Sequence, residues 1–116
     1  MSLYKFGNFE IEFDPTDVAF VEKYEFAVTK YQERITTVSK EGKASEVMMR
    51  ICDIFYDVFD SLFGKGASKK MFGKTNSVDL CAKALKQLAN GMNDYSKTLE
   101  LLPKGTVNSS QKKKNK

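Results

Sequence analysis

The chain has 116 residues, enough for one domain with a modest core and too few for two. Hydrophobic residues make up 41%, with nine Phe and five Tyr, yet no apolar run nears the roughly 20 residues that span a bilayer. The net charge of +4 is uneven: residues 1–102 carry 14 Lys and Arg against 15 Asp and Glu, and 103–116 carry five Lys and no acid. A DNA-binding domain would hold its positive charge on the fold itself, so nucleic acid is not the expected partner. The absence of histidine and of any CxxC removes a zinc ligand set and the commonest general base. No cofactor, metal or catalytic residue is expected, and the chain does not read as an enzyme.

The first segment predicts a β-hairpin. Strands over 3–6 and 9–13 flank Gly7-Asn8, a two-residue turn that tolerates positive φ. That loop sets Phe6 opposite Phe9, Lys5 opposite Glu10 and Tyr4 opposite Ile11. Tyr4, Phe6, Phe9, Ile11 and Phe13 then share one face, which is too apolar for water, and an isolated hairpin is marginal. The face must lie on helices or on a second copy, so these five residues are candidates for a homo-oligomer interface, together with any exposed part of the last helix. The alternating opening "MSLYKFGNFEIEF" has no continuous apolar core of a signal peptide, and a cytoplasmic location is expected.

Asp14-Pro15-Thr16-Asp17 reads as a helix start, with Asp14 as the cap and Pro15 at the first helical position. Phe20, Tyr24, Val28, Tyr31, Ile35 and Val38 recur at steps of four and three, which predicts a helix over 15–39. A second helix over 45–63 opens at Ser45. Val47, Ile51, Ile54, Phe55, Val58, Phe59, Leu62 and Phe63 form its apolar face, with Cys52 at the margin. Asp53, Asp57 and Asp60 run along the opposite side, where a solvated face is the expected reading and a metal or acid/base site the sharper one. A third helix over 76–102 is capped by Asn76-Ser77. Its seam of Cys81, Leu85, Leu88, Met92, Tyr95, Leu99 and Leu102 suits antiparallel packing. Gly91 within it points to a close approach or a bend. Cys52 and Cys81 both read as buried, reduced thiols. Residues 103–116 are polar and basic and are expected to be disordered.

The joint "LFGKGASKKMFGKTN" over 62–76 contains Gly-Lys-Thr. Six residues separate Gly66 from Gly73, where a phosphate-binding loop needs four, and a helix precedes it rather than a strand. Lys65, Lys69, Lys70 and Lys74 beside Phe63 and Phe72 could form a nucleic-acid patch. The plainer reading is a helix end at Phe63-Gly64 with a left-handed glycine, and Met71 and Phe72 anchoring the connection to the core. The fold expected is mainly α: a hairpin followed by three amphipathic helices in a small bundle, one domain over 1–102.

The order "F-x-I-x-F-D", "V-E-K-Y-E-x-A-V", "F-D-S-L-F-G-K-G" from Phe59 to Gly66, then Phe72-Gly73, Asn76 and a Lys-rich end resembles the small tail assembly chaperones of long-tailed phages and prophages of Gram-positive bacteria. The resemblance covers roughly residues 9–95. It implies a non-enzymatic protein that keeps the tape measure protein soluble and helps recruit tail-tube subunits. An apolar groove for amphipathic segments would then be sought among Phe55, Phe59, Phe63, Met71 and Phe72. The resemblance also implies a longer product made by frameshifting near the end of the frame. "KKKNK" demands A-rich codons, so a −1 slippage site is expected within the codons for Lys112–Lys116. The competing class is a small cytoplasmic helical adaptor or regulator that meets nucleic acid through its basic tail.

Overall fold

The computed structural model describes residues 2–93 and 100–102. Two strands, β1 (Ser2–Phe6) and β2 (Phe9–Phe13), precede α1 (Val18–Thr37), α2 (Ala44–Phe63), α3 (Ala67–Phe72) and α4 (Val78–Met92). The fold is mainly helical with an N-terminal antiparallel hairpin. The hairpin register pairs Phe6 with Phe9, Lys5 with Glu10 and Tyr4 with Ile11, as the two-residue turn dictates.

The hairpin's apolar face lies on the chain's own helices. Tyr4 enters beside Phe59 and Phe63, with ring centroids at 6.5 and 5.4 Å, and its hydroxyl donates to the Ala84 carbonyl at 2.9 Å. Phe6 meets Phe72 and Phe9 meets Phe63, each at 5.4 Å. Polar ties fix the same docking: Gln87 Nε2 donates to the Lys5 carbonyl, and the Asn8 N–H to the Lys70 carbonyl. A side chain at Gly7 (φ 62°) would run into the Met71 carbonyl oxygen, so glycine is needed there for conformation and for clearance.

The entry to α1 differs from the sequence reading. Asp17, not Asp14, is the N-cap, accepting from the Phe20 N–H at 3.0 Å. Asp14 instead closes a local turn, its Oδ1 accepting from the Thr16 N–H and hydroxyl. Those bonds, the side-chain one first, hold its carboxyl below the usual carboxylate range. Pro15 is buried under the hairpin exit rather than opening the helix. The α1 helix packs chiefly on α2, with Ala27 its one buried residue among those described and Tyr31 against Phe55 at 5.1 Å.

The α2 helix is the axis of the molecule, with Cys52, Ile54, Phe55, Val58, Phe59 and Leu62 buried. Cys52 is 0% exposed, so it belongs to the packed face rather than its margin. At the start of α2, the Lys43 N–H is held by the Glu46 carboxylate at 3.0 Å, and Ser45 lies inside the helix instead of capping it. Gly64 ends it at positive φ, its N–H donating to the Asp60 carbonyl, but with ψ at 157° the cap is not the left-handed helical one expected.

Two corrections concern the third helix. The joint, expected to be a plain connection, holds a short helix, α3. The last helix, α4, is described from Val78 to Met92, and Leu102 sits in a bend after a turn rather than at a helical position. Ser77 caps α4, its Oγ accepting from the Leu80 N–H. Cys81, Ala84, Leu88 and Met92 are its buried face, and Gly91 lets the Phe13 ring approach within 3.0 Å of where a Cβ would stand. The expected seam positions Tyr95 and Leu99 lie outside the described residues, as do the tail 103–116 and Lys112–Lys116. No helix among the described residues is long and apolar enough to cross a membrane.

Candidate functional site

The candidate partner contacts of α2 and the joint separate into two groups. Phe55, Phe59, Met71 and Phe72 are core, with Phe59 at 0% exposure and the other three buried. Phe63 is half-exposed. The same division runs through the hairpin: Tyr4, Phe9 and Phe13 are buried by the chain's own helices, while Phe6 and Ile11 are partly open. The chain's own helices thus cover Tyr4, Phe9 and Phe13 of the five hairpin residues and leave Phe6 and Ile11 partly open.

Ile11 and Phe63, left partly open in the two groups, converge at one place, while Phe6 lies apart against Phe72. Ile11 and Phe13 from β2, Phe20 from α1, and Leu62 and Phe63 from α2 line a groove of about 470 Å³ at the hairpin–α1–α2 corner. Its floor is an aromatic run, with Phe13–Phe20 centroids at 5.4 Å and Phe20–Phe63 at 6.2 Å. Its rim is acidic, formed by Glu12, Asp14 and Asp17. The local sequence builds this arrangement. Strand alternation turns Phe13 in and Glu12 out, and the two aspartates serve the turn and the helix cap. Phe20, three residues after the cap, falls back over the hairpin exit. An apolar floor under a carboxylate rim suits an amphipathic segment with basic flanks.

The other sequence candidates resolve differently. The acidic stripe of α2 does structural work instead of facing only solvent. Asp57 pairs with Arg34 of α1, and Asp60 accepts from the Ser68 N–H at 2.8 Å and from the Ser68 hydroxyl at 3.2 Å, which fixes the first turn of α3. Among the described residues no group of three or more His, Cys, Asp and Glu side chains could hold a metal ion. Lys65, Lys69, Lys70 and Lys74 are exposed, but Phe72 beside them is buried against Phe59 at 5.8 Å, so it offers no stacking face to a base.

Sequence reading missed Phe20 as a site residue, having placed it on the packed face of α1. Its spacing with Tyr24 and Val28 does not set it apart from the packed positions of α1; the landing place of the hairpin does.

The chain belongs to DUF6673, a family of unknown function, whose profile matches residues 7–116. No curated protein and no solved structure matches it.

Proposed function

We propose that this chain is a tail assembly chaperone of long-tailed phages or prophages of Gram-positive bacteria, which acts in the host cytoplasm without catalysis. It would keep the tape measure protein soluble and help bring in tail-tube subunits. The observation that carries the reading is the acidic-rimmed aromatic groove. Ile11, Phe20 and Phe63 stay partly exposed around the floor, and Glu12, Asp14 and Asp17 select for basic flanks. A tape measure segment would lay an apolar helical face on the floor and its Lys or Arg residues on the rim.

Co-expression with tape measure fragments tests this. The fragment should become soluble and co-purify with the chain, and the complex should weaken as salt rises. Glu12 is exposed and carries no fold contact in the ladder beyond its backbone, so Glu12→Lys should reduce capture and leave the thermal midpoint within a degree or two. A fragment that gains no solubility and does not co-purify would defeat the proposal. Unchanged capture by Glu12→Lys would move the site away from the groove.

A further inference from the structure

The aromatic groove is bordered by the stretch Glu10–Asp17, in which Glu10, Glu12, Asp14 and Asp17 are acidic and no residue is basic. Glu12, Asp14 and Asp17 form the rim, and among the described residues none of them is in an ion pair. Asp14 accepts from Thr16 and Asp17 from the Phe20 N–H, bonds that bring no cation to the rim. Elsewhere Asp57 pairs with Arg34 and Asp79 with Lys83.

The opposite composition lies at the other end of the chain. Residues 103–116 hold Lys104, Lys112, Lys113, Lys114 and Lys116 and no acid. The fold carries that end to the groove. Gly91, in the last turn of α4, stands so close to Phe13 that an added Cβ would lie 3.0 Å from the ring, and Phe13 lines the groove. The chain therefore leaves α4 beside the groove's aromatic floor. Lys112 follows Met92 by 20 residues. An extended chain covers about 3.3–3.6 Å per residue, so the lysine run can reach the rim with length to spare.

We infer that in the free chain the run Lys112–Lys116 docks in cis on this groove, as an occupant that a partner must displace. Lysine suits both surfaces. Its ammonium answers the carboxylates of Glu12, Asp14 and Asp17, and its methylene stem lies on the partly exposed rings of Phe20 and Phe63. Laid down extended, Lys112, Lys114 and Lys116 fall on one side. Each contact is weak and screened by salt, but the tether holds the run near the rim at an effective concentration on the order of millimolar. A tape measure segment with basic flanks would use the same rim, so the tail sets a threshold that only a better-fitting segment passes. That last step rests on the partner reading above; the docking of the tail does not.

A nitroxide attached to Ser110→Cys in the full chain reads the docking, because Cys52 and Cys81 are buried and leave the new thiol as the accessible one. With isotope-labelled protein, the amides of Glu12, Asp17 and Phe20 should lose most of their intensity at low salt relative to the reduced label. Intensity should return at about 1 M salt, where charge attraction reaches only about 3 Å. It should return as well when Lys112, Lys113, Lys114 and Lys116 are all changed to Gln. Nitroxide chains without isotope, mixed with isotope-labelled chains without nitroxide, should show no such loss. Loss in that mixture would assign the rim to the tail of a second copy and overturn docking in cis. No loss at the rim, or a loss equally strong at Asp53 and Asp57, would also overturn it. The four-Gln variant should capture a tape measure fragment several-fold more tightly than the parent chain, and equal capture would end the tail's role as competitor. The two readings fail separately. A docked tail with no capture of any fragment defeats the partner reading alone, and capture that depends on Glu12 without rim broadening defeats the tail alone.

Discussion

The two ends of α2 are built on different principles. Around its C-terminal half, Phe59 meets Tyr4 and Phe72, and the hairpin, α3 and α4 close over it from three directions. Along the α1 side of its N-terminal half, the aliphatic side chains of Val28, Ile35, Val38 and Val47 stay partly exposed, with Met48 at 55%. Polar bonds add to the holding there, Arg50 donating to the Ser39 and Glu41 carbonyls at 2.9 and 2.8 Å, and farther along α2 Arg34 of α1 reaches Asp57. One end is saturated with aromatic contact and the other keeps apolar surface in reserve. The groove lies at the edge of the first end, on an aromatic floor carried by packed elements, which is where a recognition surface keeps its shape.

The contrast is broken most directly at Phe59. Its ring is fully buried between the hairpin and α3, so Phe59→Ala removes the contact that several elements share. A loss of about 3–5 kcal/mol is expected in urea unfolding. A loss near 1 kcal/mol would mean that the hairpin end is no better packed than the open end.

Gly7→Ala should be the next largest effect. The residue is held at positive φ, and the added methyl meets the Met71 carbonyl oxygen, which sits on backbone and cannot swing away. About 2 kcal/mol or more is expected, with the hairpin's amide exchange accelerated ahead of that in α1 and α2. Equal acceleration everywhere would show that the hairpin is not a separable layer.

Alkaline pH should also act on the closed end first. Burial raises the Tyr4 hydroxyl, and burial followed by the Cys52 thiol raises Cys81 to about 12. Both groups have folded values above their unfolded ones, so their contribution is complete below about pH 8.5, the unfolded thiol value, and falls as pH rises beyond it. Urea midpoints should drop between pH 8.5 and 10.5, and Cys81→Ala should flatten the early part of that decline. A midpoint that rises over this range would reverse the sign.

Much of this organisation was legible in the residues. The hairpin register followed from a two-residue turn and α2 from its apolar spacing, and of the two readings open for Gly91, a close approach or a bend, the structure shows the approach, of Phe13. Three features were not. The Asp14–Asp17 segment offers two aspartates suited to a cap, and only tertiary placement of Pro15 decides between them. The α3 helix spans six residues, too few for a period to show, and is set by Asp60, an acid that periodicity had assigned to solvent. The groove could not be read because exposure of Phe20 and Phe63, and burial of Phe55 and Phe59, depend on where the hairpin lands. Spacing ranks these phenylalanines as equals.

The smallest expected effect sharpens the comparison from the open end. Arg34 and Asp57 are about half and two-thirds exposed, and their attraction is screened by water and salt. Arg34→Gln and Asp57→Asn should each cost between roughly 0.2 and 1 kcal/mol, and a double-mutant cycle should assign only a few tenths to the pair itself. Any remainder from Arg34→Gln reports the aliphatic stem of Arg34, which lines the shallow recess that Phe26, Ala27, Tyr31 and Ile54 form between α1 and α2. The cycle should be run at low and at high salt. If the coupling is a surface pair, it will shrink toward zero at high salt while the single-variant cost of losing the stem persists. If instead the coupling exceeds about 2 kcal/mol and ignores salt, that end is locked electrostatically, and the division between a closed end and an open one would have to be given up.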